Sequence, residues 1–580
     1  TLRAVEPDAI RRDWTLTAIG PDLHGFREDE LEVIPSIEIQ RTGFVPEAAD
    51  APYAGEAFTL GENEFRLLDF GTNLSGFIGC TVDCPAAAGL TVTFDEILTD
   101  GDVDPLRLRC VNVIRCDLRP GRIKFESIEP YTLRYVKFFA LGGPLTVSTI
   151  FLREYASPEG AHARFHADDP GVNAIFRAGV ETLRQNSVDL LTDCPSRERA
   201  GWLCDSFFLA RTTDLLYGNA LHEKNFFENY LLPPSFRHIP AGMLPMCFPA
   251  DHDNAKFIPN WALWFVLQLE EYLDRTGDRE MVAAMRERVM GVFEYLRAFE
   301  NVDGLLEKLA GWIFVEWSEA NAFVQDVNYP TNMLYAAALR AAGTLYDKPE
   351  LAAKAAKVAE RIRGQSFDGN FFVDNAVRIG GKLVRTENRT EVCQYHAFTF
   401  GIATPESHPV LWGRLRREFG VGRPNVFAGT GVHPANALLG YPLRFELLSR
   451  FGDLQGMIKE AVELYKPMAD LTGTLWEHVG PTASCCHGFA SHIASVLLRD
   501  VLGVYRVDRT RKHVTIRLRD SGISSCSGQV PVGDGVIAVE WSRRAGKLNL
   551  RLSLPGAYRA DVENLTPWFL THDPSPPAPG

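Results

Sequence analysis

Thirteen consecutive residues, Asp193-Cys194-Pro195-Ser196-Arg197-Glu198-Arg199-Ala200-Gly201-Trp202-Leu203-Cys204-Asp205, bring together three carboxylates, two guanidinium groups and an indole. Carboxyls can give and take protons, guanidinium groups tune them, and an indole face suits a sugar ring or its methyl group. The same charges could instead close on one another as a structural salt-bridge knot. Trp202 favours a ligand, because a knot of ion pairs has no use for an exposed aromatic face at its rim.

The flanks say what must hold these residues. Val172, Ile175, Phe176, Val180 and Leu183 recur at helical spacing before the loop, and Phe207, Leu209, Ala210, Leu215 and Leu216 resume it afterwards. Pro195 interrupts any continuous helix. The charged cluster is therefore predicted to lie in a loop between two helices, where rigid scaffolds concentrate their chemistry.

The spacing Asp193-Cys194-Pro195-x-Arg197-Glu198-Arg199-x-Gly201-Trp202-x-x-Asp205 resembles the signature loop of the inverting α-L-rhamnosidases of glycoside hydrolase family 78. The resemblance implies an exo-acting glycosidase that releases terminal α-L-rhamnose. Glu198 would be its general acid, with Asp193, Arg197, Trp202 and Asp205 holding the sugar. Many members carry an extra residue between the Arg and the Glu; this chain does not. The same machinery acting on another sugar, or a carbohydrate-binding protein without catalysis, are the alternatives.

Inversion needs a second carboxyl across the scissile bond, roughly 6.5–9.5 Å away. Glu316, Glu319, Asp326, Glu387, Glu391 and Glu477 are candidates. Glu477 is preferred, because Thr474-Leu475-Trp476-Glu477 matches the family's setting for its general base. Where many relatives continue with Arg-Trp, this chain has His478-Val479, which bears on the exact sugar. His487 stands near the place of a sugar-contacting histidine in the family. Trp261 and Trp317, in Asn260-Trp261-Ala262 and Glu316-Trp317-Ser318, are candidates for the wall against the sugar's methyl; either would serve equally well as core. One buried methyl contributes only about 0.8 kcal/mol, so several walls are needed for selectivity.

Cys194, Cys204, Cys485, Cys486 and His487 could meet near one cleft, but no Cys-x-x-Cys pair accompanies them. No metal is expected. With no Gly-rich phosphate loop after a strand, no nucleotide cofactor is expected either, so the cofactor expectation is none.

Around the loop, the chain divides by pattern. Residues 1–56 are an N-terminal segment, partly β, with pieces at Glu32-Val33-Ile34 and Ile37-Glu38-Ile39. Residues 57–160 carry short strands between breakers, as in a sandwich. Leu68-Asp69-Phe70-Gly71-x-Asn73-x-x-Gly76 and Glu129-Pro130-Tyr131-Thr132-x-Arg134-Tyr135 resemble the jelly-roll domain of the same family. These pieces read as structural, although such a domain can lend a loop to a neighbouring cleft. Residues 161–503 are helical, with helices predicted at 262–272, 280–299, 332–345, 350–362, 391–400, 454–468 and 486–501. Helix pairs separated by aromatic-rich loops suggest stacked hairpins; the resemblance implies six, as an (α/α)6 toroid. Residues 504–565 alternate with period two and resemble a C-terminal β-sandwich, and 566–580 form a Pro-rich tail. The fold class is thus multidomain α and β, an (α/α)6 catalytic domain flanked by β-sandwiches.

A net charge of −14 over 580 residues argues against nucleic acid and anionic membrane as partners. A carbohydrate is the expected partner, and the oligomeric state is left open. No apolar run reaches the ~18–20 residues that span a bilayer. The given sequence shows no signal peptide, but it opens on Thr1 rather than Met, which leaves room for a removed leader. Its eleven cysteines lack a framework spacing, which leans toward a reducing, cytoplasmic setting, and the localisation is left open.

Overall fold

The computed structural model describes residues 55–573 except 237, 250–255, 424, 425 and 534, with the backbone alone at 161, 426 and 427. Before residue 55 it describes the backbone of one antiparallel pair, Arg11–Thr15 with Val33–Ile37. The rest of the N-terminal segment, including Glu38-Ile39, and the tail beyond 573 lie outside the described residues.

Twelve helical stretches alternate between an outer and an inner layer. The outer ones are Pro170–Gln185, Leu221–Leu231, Arg279–Ala284 continued by Arg286–Arg297, Pro349–Ser366, Pro409–Glu418 and Leu454–Thr472. The inner ones are Leu203–Tyr217, Pro259–Thr276, Tyr329–Leu345, Glu391–Thr399, Gly440–Arg450 and a last stretch from Gly488 to Leu502. Each inner helix packs on the next and the last returns to the first, which closes the ring. Sequence explains the layering: Leu203–Tyr217 and Tyr329–Leu345 bury residues on every side, while Pro349–Ser366 buries one stripe.

Local chemistry marks the ends. Asp169, Asp278, Asn328, Thr390 and Asp453 cap helix starts by accepting backbone N–H groups. The last inner stretch was expected as one helix over 486–501. Instead it runs through a 3-10 turn, Gly488–Ser491, a short α segment, His492–Val496, and a π turn, Leu497–Leu502. Its side chains are buried all round, so tertiary packing sets the winding there rather than propensity.

The N-terminal sandwich is organised by one 20-residue strand, Phe65–Cys84. Its first part pairs with Tyr131–Leu141 and its later part with Leu145–Glu154 and Gly121–Glu126. Register shifts between Asp69 and Leu74 and between Gly79 and Thr81 let it turn from one layer to the other. Ala88–Asp95 and Val113–Leu118 extend the sheet on the far side. Ile78, Val82, Leu90, Val92, Phe94, Val136 and Phe138 fill a core separate from that of the toroid.

The C-terminal β region has two sheets. One orders Arg164–Ala167, Ser525–Val532, Gly535–Arg544, Lys547–Ser553 and Phe569–His572; the other orders Val504–Asp508, His513–Leu518 and Arg559–Asn564. Two strands fall outside the 504–565 span read from the sequence. Arg164–Ala167 precedes the first helix, and Phe569–His572 pairs parallel to Lys547–Leu550 inside the stretch read as tail. Val514, Ile516, Val530, Ile537, Val539 and Trp541 belong to the same buried cluster as the helical ring.

Candidate active site

Every residue expected at the site sits on a link from an outer helix to an inner one, or in the first turn of an inner helix. The links converge where the inner helices begin, so partial positive helix ends face a cluster of carboxylates. The 193–202 loop precedes Leu203–Tyr217, with Asp205 in that helix's first turn. Trp261 lies in the first turn of Pro259–Thr276, and His487 caps the turn that begins at Gly488.

The loop is held by its own backbone. Asp193 N–H donates to the Ala200 carbonyl at 3.1 Å, and Ala200 N–H returns to Asp193 Oδ1 at 3.0 Å. Gly488 N–H donates to the Asp193 carbonyl at 2.6 Å, tying the loop to the last inner stretch. Arg199, between them, takes φ of +51°, a left-handed conformation that costs a non-glycine residue on the order of 1–2 kcal/mol.

Arg197 spans the two proposed catalytic acids. Its Nε donates to Glu198 Oε2 at 2.8 Å and its Nη2 to Glu477 Oε2 at 3.1 Å. Since neighbouring guanidinium nitrogens are about 2.3 Å apart, those two carboxylate oxygens stand no more than roughly 8 Å from each other. Glu477 N–H donates to the Ser484 carbonyl at 3.1 Å and His487 N–H to the Leu475 carbonyl at 2.8 Å, so 475–487 folds back on itself.

Burial pushes the Glu198 carboxyl up, but the Arg197 guanidinium and hydrogen bonds from Asp193 and Cys194 outweigh it and leave it below the ordinary range. Asp193 is driven well above its ordinary range by burial and by Glu198 beside it. The two carboxyls therefore compete for a proton, and their surroundings favour it on Asp193 over Glu198. Glu477 is raised by burial, against the pull of Arg197 and His478. Asp205 is raised well above its ordinary range by burial and then by Glu477. His487 is pushed down to about 3 by burial, so its ring is neutral.

Asp205 Oδ1 lies 3.5 Å from His487 Nδ1, and His487 Nε2 lies 3.8 Å from Glu477 Oε2. The Asp205–His487 approach is close but not aligned as a hydrogen bond, and both atoms are buried without a partner, as is Trp261 Nε1. Unsatisfied buried polar atoms converging on these carboxylates are what a polyhydroxylated ligand would complete.

The aromatic residues form a continuous wall. Ring centroids run from Trp202 to Trp261 at 5.2 Å, to Phe314 at 5.4 Å, to Trp317 at 4.9 Å and to His478 at 5.9 Å. The wall begins beside the Glu198 loop and ends beside Glu477. Trp202 and Trp261 are buried, whereas Trp317 is 36% exposed at the rim.

The other carboxylate candidates serve elsewhere. Glu316 accepts the Asn436 and Gly440 N–H groups and is raised to about 8 by burial. Glu391 accepts from Tyr395 Oη and Gly420 N–H; Asp326 accepts from Arg378 N–H. Neither Glu319 nor Glu387 is among the groups contacting Arg197. Among the described residues, the His, Cys, Asp and Glu side chains that converge as metal ligands could are Asp193, Cys194 and Glu198, within 4.8 Å of one another. Cys194 donates to Glu198 Oε2 at 3.0 Å, and burial raises its thiol well above the ordinary range, so it is a hydrogen-bond donor there rather than a thiolate. Cys204, Cys485, Cys486 and His487 do not join that group. All eleven cysteines are free.

Sequence reasoning missed Asn436, Phe314, Ser196 and Ser484. Asn436 Nδ2 donates to the Trp317 carbonyl at 2.6 Å and its Oδ1 accepts Val479 N–H at 3.1 Å, joining the aromatic wall to the segment after Glu477. Ser196 and Ser484 share a hydrogen bond at 3.1 Å. Isolated Asn and Ser residues in loops carry no spacing signal, so only the fold could reveal them.

Residues 161–424 match the model of the bacterial alpha-L-rhamnosidase six-hairpin glycosidase domain. No curated protein matches the chain. Among solved structures, a GH78 family rhamnosidase of Bacillus sp. GL1 aligns over 92% of this chain and 57% of its own length, with a TM-score of 0.78 and 23% identity. A rhamnosidase from Klebsiella oxytoca with rhamnose bound aligns over 86% of this chain and 95% of its own, with a TM-score of 0.58 and 18% identity. The alpha-L-rhamnosidase of Dictyoglumus thermophilum aligns over 93% and 67%, with a TM-score of 0.65 and 13% identity. This chain thus spans little more than half the length of the Bacillus protein, and at these identities the likeness is one of fold. Residues 161–424, which form most of the helical ring, thus match the six-hairpin glycosidase domain of bacterial alpha-L-rhamnosidases.

Proposed function

We propose that the chain is an exo-acting, inverting glycoside hydrolase that releases terminal α-L-rhamnose, with Glu198 as general acid and Glu477 as general base. The observation that carries this reading is Arg197, which ion-pairs with both carboxylates within one buried cluster. A span of no more than about 8 Å admits the inverting separation of roughly 6.5–9.5 Å as well as the shorter retaining one, so the inverting outcome rests on the resemblance of the 193–205 and 474–477 motifs.

The reaction balances as follows. Glu198 gives its proton to the glycosidic oxygen as the bond to the anomeric carbon breaks, so the leaving group departs as an alcohol. On the opposite ring face Glu477 takes a proton from water while the water oxygen bonds to that carbon. In the resting site the surroundings favour the proton on Asp193 over Glu198. When sugar hydroxyls draw Arg197 away, Glu198 loses the cation that depresses it, and the proton moves from Asp193 to Glu198. Glu477 keeps a second basic neighbour in His478, 3.9 Å away. Asp205, His487 and Trp261 bind hydroxyls, and the aromatic wall covers the apolar face of the ring.

His478 against Trp317 shapes the rim at the place where the sequence departs from its relatives, which favours a second reading, the same machinery on a related sugar. A panel of aryl α-L- and β-D-glycosides tests both. Turnover confined to the α-L-rhamnoside supports the first reading, a preference for another glycoside the second, and turnover of none contradicts the enzyme.

A further inference from the structure

The 483–485 segment, which pairs with Glu477, is gripped from outside the helical ring. Arg107, on a loop of the N-terminal sandwich, donates from Nη1 to the Ala483 carbonyl at 2.9 Å. Its Nε donates to Asp95 Oδ1 at 2.7 Å and Oδ2 at 2.9 Å, and its Nη2 to Glu96 Oε2 at 2.5 Å. Glu96 Oε2 also accepts Cys485 N–H at 3.1 Å. The segment is thus held on both sides of Ser484. Between those anchors the Ser484 carbonyl accepts Glu477 N–H, and the Ser484 hydroxyl shares a hydrogen bond with Ser196, next to Arg197.

The clamp is buried and rigid. The Arg107 side chain is 10% exposed and those of Asp95 and Glu96 are 1%. Glu96 Oε1 accepts from Asn73 Nδ2 at 3.0 Å, which fixes the carboxylate from its other side. The next two residues on the loop, Leu108 and Arg109, take φ of 59° and 62°, consecutive left-handed conformations for side-chain-bearing residues. Cys110 follows, with Sγ 3.9 Å from the Ser196 carbonyl. A planar fork with donors on three separate nitrogens ties two carboxylates and a carbonyl at set positions; a lysine's three donors radiate from one nitrogen and do not span those sites in the same geometry.

We propose that Arg107 is a positioning residue for the reaction: through Ala483 and Ser484 it sets the place of Glu477, so that the active site is completed by the N-terminal sandwich. This rests on the reading of Glu477 as the general base. The sandwich then has a role in turnover distinct from that of a packing domain.

The test is a double-mutant cycle on the full chain with an activated aryl α-L-rhamnoside. Arg107→Lys keeps the buried charge and is expected to lower kcat roughly tenfold or more while KM changes less than about threefold. Glu477→Ala, assayed with sodium azide in place of the base-activated water, removes the group on which Arg107 acts. In that background Arg107→Lys is expected to change azide-dependent turnover less than about twofold. Equal losses in both backgrounds, or an unchanged kcat in the single variant, would overturn the proposal. Should Arg107→Lys not fold, Asp95→Asn, which loosens Arg107 without removing it, is carried through the same cycle with the same expectations. Glu477→Ala with undiminished turnover in the absence of azide would remove the base assignment itself, and Arg107's role with it. Equal losses alongside a disabled Glu477→Ala would remove the role of Arg107 alone.

Discussion

The two β regions are attached to the helical ring with different balances of apolar and polar contact, although Arg509 and Arg519 of the C-terminal region also hydrogen-bond to the ring at Asp214, Gly218 and Ser449. The C-terminal sheets share its apolar core: Val530, Ile537, Val539 and Trp541 belong to the ring's own buried cluster, and Trp541 Nε1 donates to the Val501 carbonyl at 3.1 Å. The N-terminal sandwich keeps a core of its own, sends Ile97 into the ring's cluster, and otherwise meets the ring through polar contacts. Thr72 Oγ1 donates to the Thr472 carbonyl at 3.0 Å, Asn73 Nδ2 to Thr474 Oγ1 at 3.4 Å, and Arg134, paired with Asp69, to the Leu471 carbonyl. Apolar packing is non-directional and secures mass; hydrogen bonds fix atoms at defined angles. The C-terminal region therefore reads as ballast for the fold, and the N-terminal one as a template for the segment that carries Glu477.

Four substitutions or profiles sharpen or break that contrast, taken from the largest effect on turnover downward. Glu198→Gln sets the ceiling: turnover is expected to fall by about 10²–10⁴ on substrates with poor leaving groups and less on activated ones. Equal losses on both would deprive Glu198 of the acid's role. Gly473→Ala probes the polar seam. Gly473 takes φ of +71°, and a Cβ there would come within 2.1 Å of Thr72 Oγ1, so the Thr72 side chain and its bond to the Thr472 carbonyl must give way beside the 474–477 segment. A several-fold to roughly tenfold loss of kcat is expected, with the α-L-rhamnoside KM little changed; an unaltered kcat would detach the seam from catalysis.

The pH profile separates the two regions next. Glu477 must be ionised to act as base, and burial raises its pKa, so activity falls with decreasing pH above the ordinary glutamate range. Asp193, the partner of Glu198 in the acid pair, is also raised, so activity is expected to persist as pH rises until that pair deprotonates. Arg107→Lys, by loosening the cover over Glu477, is expected to move the acidic limb of kcat/KM downward. The same limb in Trp541→Ala should stay in place. The smallest effect on turnover is Trp541→Ala itself. It is expected to cost about 3–5 kcal/mol of stability, visible as a lowered Tm, while the kcat of the folded fraction is unchanged. A matching loss of kcat would make the C-terminal sheets part of the site.

The same contrast explains what the sequence made legible. The 193–205 loop could be read because its chemistry is contiguous, and Thr474-Leu475-Trp476-Glu477 because it repeats a known setting. Leu68 to Asn73 and Glu129 to Tyr135 are legible in the sequence only as motifs of a structural jelly-roll domain. Asp69, Asn73 and Arg134 prove to be the seam residues that face the ring. Arg107 was invisible, since its carbonyl partner lies 376 positions away in another fold unit and no periodicity links them. Helix centres were found, yet Pro259–Thr276 and Leu454–Thr472 extend past the expected ends because capping geometry decides boundaries. Phe569–His572 was hidden by a Pro-rich surrounding, its strand character coming from its parallel neighbour Lys547–Ser553 rather than from alternation.

The central claim, that Glu198 and Glu477 act across the sugar as acid and base, is tested most directly by the stereochemistry of the first product. Time-resolved proton NMR of an α-L-rhamnoside digest should show β-rhamnose appearing first and the α-anomer only later, by mutarotation. Initial release of the α-anomer would mean a carboxylate attacks the anomeric carbon itself, and would contradict the account.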